Sequence, residues 1–386
     1  MRILIVSMQG IGNTALLLPV IRKIAVRDKC ELDIAVSNNG SAHILLNNPD
    51  IRRIYVWDEK KNGLHNLLRL RKELKPNKYD AVYSAFPNWS RENAVALIAA
   101  SGKKTGYAGD KKYLSDRIIC GAVGINRKRP EKQHDMLSNL NLFEFGSGPV
   151  EISGPLFYYS AQEAGFNENL AKKYLSGEDS PIIGLHPGSK ALEKRWAGKK
   201  FGELAVKISE KYGRVKFLIF GSAGEKEEMD IVREAIRDKA QSLAELSLRQ
   251  AAWFIGKCDI LIGNDSAPVH LAALQGIPAV AITGPADYLR TSPVGGKSVV
   301  IRKDLACSPC YGRVYNIRKE CAHDLKCIND ISSDEVFGVA DKCLEAIIAD
   351  SAGFDCAKIK WDTLKVRRED LFSGAVALNL EAKPES

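Results

Sequence analysis

Short apolar runs alternate with amphipathic stretches along most of this chain, and this alternation limits the available folds more than any other feature. In the first half, apolar runs lie at residues 3–6, 32–36, 53–57 and 81–85, with helical patterns at 14–27, 63–75 and 91–101. Continuously apolar strands separated by helices are typical of a parallel sheet that is buried under helices on both faces. The pattern therefore predicts an α/β fold.

The same alternation starts again after the polar segment 176–180. Strands are predicted at 182–186, 215–220, 259–262 and 279–283, and helices at 199–211, 224–238, 248–257 and 267–275. We therefore predict two Rossmann-like domains with parallel sheets, at 1–160 and 181–345, with a linker at 161–180 and a C-terminal helix or tail at 346–386. Ligands of open α/β sheets bind at the carboxyl ends of the strands, so we expect both sheets to face a central cleft.

Charge is distributed unevenly over these two units. The first 150 residues contain 24 Lys and Arg against 14 Asp and Glu, whereas the other 236 contain 32 against 33. A basic domain suits a partner that carries phosphates or carboxylates, although a solvated lysine-rich surface would give the same count. There is no nucleic-acid recognition motif and no interleaving of aromatic residues with the cations, so a nucleic acid is not the expected partner.

The apolar runs are also too short for a membrane protein. None approaches the roughly 18 residues that span a bilayer. The amino-terminal run leads into Gly10 and Gly12 rather than into a cleavage site of small residues, which is not the pattern of a signal peptide. We expect a cytoplasmic protein, for which a peripheral contact with the cytoplasmic face of the inner membrane stays open.

The first candidate ligand-binding segment is a glycine turn after the first strand, formed by Gly10, Gly12 and the adjoining Asn13. Glycines allow a tight turn and a close approach of the backbone to a ligand, and the N-terminus of the following helix favours an anion. The segment lacks the third glycine of the dinucleotide-binding fingerprint. A glycine turn that serves only packing explains the pattern equally well.

A second candidate follows the first strand of the second unit. Pro187, Gly188 and Ser189 end that strand with backbone N–H groups and a hydroxyl, and Lys194 and Arg195 come shortly after. A compact ammonium and a bidentate guanidinium beside such a turn suit a diphosphate. The alternative is an ordinary turn followed by a solvated basic loop.

The third candidate is the run GNDSAPVH at residues 263–270, after another predicted strand. Ser266 is a typical N-cap, and the N–H groups of the helix that follows favour an anion. Asp265 would repel a phosphate, so we expect it to accept hydrogen bonds from sugar hydroxyls or to brace the loop. His270 faces either the ligand or the core. The next strand end, at 283–287, lies beside this loop and adds a fourth segment to the same edge.

The nine cysteines are too few for a disulfide scaffold at this length. Four of them, Cys307, Cys310, Cys321 and Cys327, fall within 21 residues. The CxxC pair suits tetrahedral zinc, but the later pair is six residues apart, which is looser than the second pair of a strong zinc signature. Zinc, a redox-sensitive disulfide and simple buried thiols all remain open.

Together these segments resemble glycosyltransferase family 9, the ADP-heptose:lipopolysaccharide heptosyltransferases and their relatives, over about residues 1–345. The run from residue 263 carries the resemblance most specifically, and the glycine turn carries it least. The resemblance implies a GT-B architecture and a metal-independent reaction without a required cofactor. It also implies that the second domain holds a nucleotide sugar, for which an ADP-sugar such as ADP-heptose is expected.

The resemblance also implies roles for single residues. Ser189 and Lys194 match positions implied in diphosphate binding, with Arg195 beside them. The loop that would meet the diphosphate and the donor sugar contains Asp265, Ser266, Ala267 and His270. Ser266 and Ala267 replace the Thr-Gly of the usual motif, so the donor pocket is expected to differ in detail.

Asn13 falls where typical heptosyltransferases have an aspartate thought to be the general base. An amide cannot take a proton from an acceptor hydroxyl at neutral pH, whereas a carboxylate can. Three explanations stay open: another group serves as the base, Asn13 only positions the acceptor, or the chain binds without efficient turnover. His134 and Asp135 are the first substitutes to consider.

The leading hypothesis is an inverting glycosyltransferase. It would move a sugar, heptose first of all, from a nucleotide-diphosphate donor to a lipopolysaccharide core or another anionic cell-surface glycan, and an anionic glycolipid would bind the basic first domain. The cluster Arg127-Lys128-Arg129 is expected to contribute to acceptor binding. The alternatives are a catalytically weak sugar-nucleotide or glycan-binding protein with the same fold, and a GT-B sugar-nucleotide epimerase.

Overall fold

The computed structural model describes residues 1–58, 60–85, 90–99, 101–107, 121, 133–145, 156–175, 180–310, 321–350, 353–361, 364, 366–371 and 375–380. The chain divides into two compact units, Met1–Ser160 and Ala161–Ser386. Each unit contains its own sheet and its own hydrophobic core. None of the described helices combines the length and the hydropathy that crossing a bilayer requires.

The first unit is built on a five-stranded parallel sheet. Its strands are β1 (Arg2–Ser7), β2 (Glu31–Val36), β3 (Arg53–Val56), β4 (Tyr79–Ser84) and β5 (Ser101–Gly106). Its described helices are α1 (Ile11–Asp28), α2 (Asn39–His43), α3 (Gly63–Leu74), α4 (Ser90–Ile98) and α5 (Asp135–Leu142). The strand order is β3-β2-β1-β4-β5. Apolar residues of α3 and α4, such as Leu70, Leu74 and Val95, pack on one face of this sheet.

The second unit is built on an eight-stranded sheet. Its strands are β6 (Ile182–His186), β7 (Lys216–Ile219), β8 (Ala240–Ser242), β9 (Ile260–Asn264), β10 (Ala279–Ile282), β11 (Ser298–Lys303), β12 (Val366–Asp370) and β13 (Val376–Leu380). Its described helices are α6 (Ala161–Tyr174), α7 (Gly198–Tyr212), α8 (Lys226–Ile236), α9 (Leu248–Ile255), α10 (Ala267–Leu274), α11 (Tyr288–Thr291), α12 (Lys326–Asn329) and α13 (Ser333–Ala349). The order is β12-β13-β11-β10-β9-β6-β7-β8, and of these strands β12 alone runs antiparallel to its neighbour.

In both sheets the chain changes direction beside the first strand. From β1 it builds outward through β2 and β3, and it then returns to β4 on the other side of β1. From β6 it builds outward through β7 and β8, and it returns to β9 on the other side of β6. Connections that leave in opposite directions open a crevice at the carboxyl ends of the two central strands. Each unit therefore has one such crevice, between β1 and β4 and between β6 and β9.

Residues 161–174, which the sequence predicts as part of a linker, are instead helix α6 of the second unit. Arg249 in α9 donates two hydrogen bonds to the carboxylate of Glu163, of 2.6 and 2.9 Å. The ring of Tyr174 meets Phe254 edge to face, with 5.8 Å between the centroids. The sequence does show a helical pattern in this stretch, but Asn167 is the only fully buried residue of the helix, so the pattern does not reveal which unit it packs on. The linker prediction is therefore wrong over this stretch.

The C-terminal segment, predicted as a helix or tail, adds two strands to the sheet. After α13 ends at Ala349, a short 3₁₀ helix at Cys356–Lys358 leads to β12 and β13. Strand β13 pairs in parallel with β11, and all five of its residues are buried. Strand β12 carries four charged residues side by side, at 367–370, and lies at the edge of the sheet, so its sequence lacks the apolar signal of an inner strand.

Candidate active site

Asn264, at the end of β9, fastens two loops of the second unit together. Its Nδ2 donates a 2.7 Å hydrogen bond to the carbonyl of Pro187, and its Oδ1 accepts a 2.9 Å bond from the backbone N–H of Trp196. The Asn264 side chain is completely buried. The turn after β6 and the segment that carries Lys194 therefore lie together at the crevice between β6 and β9.

Lys194 and Asp265 form an ion pair in this crevice. The Nζ of Lys194 donates a 2.7 Å hydrogen bond to Oδ2 of Asp265, and the two side chains are 18% and 7% exposed. Burial by itself would raise the pKa of Asp265, but the charge of Lys194, that of His270 and the hydrogen bond from Lys194 hold it below its usual value. Asp265 thus braces the cation that the sequence assigns to a diphosphate.

His270 lies behind this pair, one turn into α10. Its Nε2 is 3.9 Å from Oδ1 of Asp265, which is too long for a hydrogen bond. Its Nδ1 is buried and has no hydrogen-bond partner among the described residues. Burial lowers the pKa of His270 to about 4, and Lys194 acts in the same direction while Asp265 opposes it. The imidazole is therefore neutral at neutral pH and keeps an unused polar atom.

The N-terminus of α10 faces partly toward solvent. Ser266 is its N-cap residue, but the hydroxyl does not make the capping hydrogen bond that the sequence predicts. Ser266 and Ala267 are half-buried, whereas the N–H of Asp265 is already bonded to the carbonyl of Ile282 at 3.1 Å. The first N–H groups of a helix have no partner within it, so an anion can bind here together with the free hydroxyl.

Ser189 and Arg195 lie in the same crevice and contact each other. Ser189 is buried, and its carbonyl accepts a 2.8 Å hydrogen bond from Nε of Arg195. Arg195 is half-buried, and its two terminal nitrogens form no hydrogen bond or ion pair within the described part of the chain. Arg195 therefore shapes the turn with one nitrogen and can still offer two donors to a phosphate.

Glu225 belongs to this site, and sequence reasoning missed it. A Cβ atom on Gly188 would lie 2.3 Å from Oε1 of Glu225, so a larger residue at this position would displace the carboxylate from the turn. The other oxygen, Oε2, accepts 2.8 Å hydrogen bonds from the N–H and the hydroxyl of Ser222. The spacing of Ser222 and Glu225 is that of a capping box, a signal that was present in the sequence.

His186 lies beneath the same turn. Its Nδ1 is 3.0 Å from the carbonyl of Phe220, an acceptor, so Nδ1 carries the proton and Nε2 of the neutral ring is an acceptor. That Nε2 is buried without a hydrogen-bond partner among the described residues. Burial lowers the pKa of His186, while Glu225 acts to raise it. Burial thus keeps the imidazole neutral even though the Glu225 carboxylate lies close by.

In the first unit the glycine turn differs from its predicted form. Gly10 is the N-cap of α1, with φ of −73°, which any residue adopts. The backbone angle at Gly10 therefore does not itself require a glycine. A Cβ atom on Gly10 would meet nothing within 4 Å in this structure. The space beside Gly10 is therefore open.

Asn13 lies in the first turn of α1 beside the crevice between β1 and β4. It is half-buried, and its Nδ2 donates a long, 3.5 Å hydrogen bond to Oε1 of Gln9. The strands that flank the crevice end at Ser7 and Ser84, whose buried hydroxyls have no partner among the described residues. Buried hydroxyls are normally paired, so these two are unusual polar groups beneath the crevice.

His134 and Asp135, the proposed substitutes for a general base, begin helix α5. Both are buried, and Nδ1 of His134 accepts a 3.2 Å hydrogen bond from the N–H of Met136. With Nδ1 engaged as an acceptor, the neutral ring carries its proton on Nε2 and has no free site for another. Neither residue is hydrogen-bonded to Asn13, whose recorded bond goes to Gln9. The structure therefore does not unite the three predicted catalytic residues by hydrogen bonds.

The four clustered cysteines line one pocket of about 230 Å³ beside Pro285. None of Cys307, Cys310, Cys321 and Cys327 forms a disulfide among the described residues, and burial together with the other three raises the pKa of Cys327 to about 12. Within the described residues, no group of three or more His, Cys, Asp or Glu side chains is arranged to hold a metal ion. Of the four, Cys327 is buried, Cys310 and Cys321 are half-buried and Cys307 is exposed, so the cluster is not a set of four buried thiols, and zinc and a redox-sensitive disulfide stay open.

The family of the chain follows from a comparison with family models. The model for glycosyltransferase family 9 (heptosyltransferase) matches residues 67–320. The chain belongs to glycosyltransferase family 9. This confirms the family that the sequence motifs indicate, and the matched stretch contains the Lys194–Asp265 pair and α10.

Several relatives carry heptosyltransferase names. The chain is 24% identical over 318 residues to lipooligosaccharide heptosyltransferase 2 of Haemophilus influenzae, covering 78% of this chain and 88% of that protein. It is 29% identical over 171 residues to lipooligosaccharide heptosyltransferase 2 of one Campylobacter jejuni strain and 28% identical over 162 residues to that of another. In these two matches the chain spans about half the relative's length, 51% and 49%.

Solved structures of family 9 members share the fold. A family 9 glycosyl transferase from Veillonella parvula superposes with a TM-score of 0.75 at 21% identity and covers 88% of this chain and 96% of its own. The Escherichia coli ADP-heptose lps heptosyltransferase II superposes with a TM-score of 0.66 at 21% identity, over 88% of this chain and 98% of its own. The predicted α/β fold of the GT-B class, with two Rossmann-like units, is confirmed.

Proposed function

We propose that this family 9 member is an inverting glycosyltransferase that moves heptose from ADP-heptose to a lipopolysaccharide core or a related anionic glycan. The observation that carries the proposal is the braced Lys194–Asp265 pair beside the N-terminus of α10, at the crevice between β6 and β9. The heptosyltransferase names of its relatives support heptose as the sugar. In this proposal the donor binds the second unit and the acceptor binds the first unit.

On the donor side, the diphosphate would bind between Lys194 and the N-terminus of α10. Lys194 is fixed by Asp265 before the donor arrives, so little of its conformational freedom remains to be lost on binding. During transfer, negative charge grows on the diphosphate as the bond to the sugar breaks. Preorganised cations and helix N–H groups stabilise such developing charge without any metal ion. Arg195 and Ser189 would complete the diphosphate contacts, and Glu225 can accept hydrogen bonds from sugar hydroxyls.

On the acceptor side, we assign the glycan to the basic first unit and the reacting hydroxyl to the neighbourhood of Asn13. Inversion requires the hydroxyl to attack from the face opposite the diphosphate. Asn13 can orient this hydroxyl but cannot take its proton. Another group would have to do so, less effectively than a carboxylate at position 13, and Asp135 is the candidate since Nδ1 of His134 is engaged. An anionic glycolipid acceptor would bring the protein to the cytoplasmic face of a membrane, so the cytoplasmic location stays a prediction.

The test is a transfer assay with purified protein. It is incubated with ADP-heptose, with other nucleotide sugars and with lipopolysaccharide core acceptors, and the products are read by mass spectrometry. We expect a mass increase of one heptose on the acceptor and release of ADP. The absence of both transfer and nucleotide release with every donor would refute the enzymatic proposal.

One residue favours a second candidate, a sugar-nucleotide-binding protein that transfers slowly. Asn13 stands where the motif of the family carries the aspartate, and an amide cannot act as a general base. In that case ADP-heptose would bind with an affinity that depends on Lys194, while the acceptor mass would stay unchanged. The same assay, combined with a binding measurement, therefore separates the two candidates.

A further inference from the structure

Helix α3 turns an apolar face away from the core. Its inner side buries Asn66, Leu70 and Leu74. On its outer side Leu64 and Leu68 are 68% and 59% exposed. Residues four apart lie on the same side of a helix, so these two leucines form a continuous apolar strip. Removing this much apolar surface from water is favourable, which makes the strip a candidate contact surface.

Basic side chains extend the same face. Arg71, Lys72 and Lys75 lie three, four and seven residues beyond Leu68, which keeps them on its side of the helix. All three are exposed, and none forms an ion pair with a residue in the described part of the chain. The one acidic residue of α3, Glu73, pairs with Arg69 at 2.9 Å. The outer face therefore combines two leucines with three unpaired cations and no carboxylate.

This combination sets α3 apart from the other elements. The remaining exposed large apolar side chains among the described residues occur one to an element, as Val26 on α1 or Phe166 on α6 do. Single exposed apolar residues are ordinary on protein surfaces. A helix that pairs a leucine strip with a row of cations is typical of segments that lie flat on an anionic membrane.

We propose that the outer face of α3, defined by Leu64, Leu68, Arg71, Lys72 and Lys75, docks on the surface of an anionic lipid bilayer. The leucines would enter the headgroup region while the cations pair with lipid phosphates. The three cations complement an anionic bilayer. A nucleic-acid backbone would also attract them, but it offers no apolar surface to the two leucines, which a bilayer does. The inference deepens the proposed function, on which its biological purpose rests, since a glycolipid acceptor resides in a membrane.

The position of α3 suits this purpose. It follows β3, so its N-terminus lies at the carboxyl edge of the sheet, the edge that also holds the crevice between β1 and β4. Leu64 stands in the first turn of α3. A bilayer that contacts this turn would lie near the edge at which the acceptor is expected.

The test is co-sedimentation of the full chain with vesicles, without donor or acceptor. One set of vesicles contains 30% phosphatidylglycerol in phosphatidylcholine (roughly the anionic density of a bacterial inner leaflet) and the other phosphatidylcholine alone. The variants are Leu64→Gln with Leu68→Gln, and Arg71→Gln with Lys72→Gln and Lys75→Gln, since glutamine keeps helix propensity. Matched controls are Val26→Gln for the leucines and Lys172→Gln with Lys173→Gln, on α6, for the cations.

We expect the wild type and both controls to bind the anionic vesicles and not the neutral ones. Each cation is worth roughly a fivefold change in partitioning, so the triple variant should bind at least tenfold more weakly, as should the double leucine variant. Equal binding of these variants and the wild type, or no binding by the wild type, would overturn the proposal. Tight binding of an RNA oligonucleotide that only the triple variant loses, without vesicle binding, would identify a nucleic acid instead. Transfer to a short, soluble core acceptor tests the proposed function separately.

Discussion

Asn13 is the residue whose chemistry departs furthest from what the reaction needs. We predict that Asn13→Asp raises turnover at least tenfold at neutral pH, because a general base contributes about 10²–10⁴-fold to such a step. The side chain has room to change, since its recorded partner is Gln9 at 3.5 Å. Asn13→Ala is the control and should give no gain. Lower turnover of a folded Asn13→Asp protein would show that the amide itself is needed and that position 13 does not hold a base.

His270 should make stability depend on pH in a definite direction. Its pKa is about 4 in the fold, against 6.5 for an ordinary histidine, so between these values the unfolded chain binds a proton that the folded chain does not. Stability therefore falls as the pH drops from 6.5 toward 4, by up to about 3 kcal/mol. Urea unfolding at pH 7 and pH 5 should show a smaller loss for His270→Gln than for the wild type. Equal losses in the two proteins would contradict the burial of an unprotonated imidazole.

At the scale of single residues, the sequence places Lys194, Asp265 and His270 at the same edge of the predicted sheet, because each follows the end of a predicted strand. It did not reveal that Lys194 bonds to Asp265, since 71 residues separate them and only the placement of β6 next to β9 brings them together. Gly188 and Glu225 illustrate the same limit. A residue larger than glycine at position 188 would displace the Glu225 carboxylate, yet this contact depends on packing between segments far apart in the sequence.

Among the elements, β13 contributes to the core of the second unit in a way that the sequence did not predict. It extends the sheet beyond β11, and Leu378 on it is completely buried in the core of the second unit. We predict that Leu378→Ala lowers the free energy of unfolding by about 2–5 kcal/mol, the usual cost of a cavity at a buried leucine. Ile348→Ala, at a 57% exposed position, is the control and should change it little. Urea unfolding measures both, and equal stabilities would refute the core role of β13.

The inner strands were predictable and the edge elements were not, for one physical reason. Strands such as β6 and β9 are buried on both faces, so they appear as continuous apolar runs. Helix α6 and strand β12 bury few side chains, so their sequences do not indicate what they pack against. Their places are determined by partners such as Arg249 for α6 and β13 for β12, which lie far away along the chain.

For the whole molecule, the excess of positive charge in the first 150 residues should act on the acceptor alone. We predict that changing Arg127, Lys128 and Arg129 to glutamate raises the KM for an anionic acceptor roughly tenfold, since local charge attracts anionic ligands. These three positions lie outside the described residues. The KM for the donor should not change, and neither constant should respond to Lys172→Glu with Lys173→Glu. A rise in the donor KM would contradict the division of labour between the units.

The central claim is that the crevice between β6 and β9 holds the diphosphate of a nucleotide sugar through Lys194. Calorimetric titration of ADP-heptose into the wild type, Lys194→Ala and Lys190→Ala tests it most directly. Lys190 is an exposed lysine on the same loop and serves as the matched control. A hydrogen bond to a charged group is worth about 1.5–3 kcal/mol, so we predict a Kd at least tenfold higher for Lys194→Ala and an unchanged Kd for Lys190→Ala. No binding by the wild type, or equal binding by the folded Lys194→Ala protein, would contradict the account.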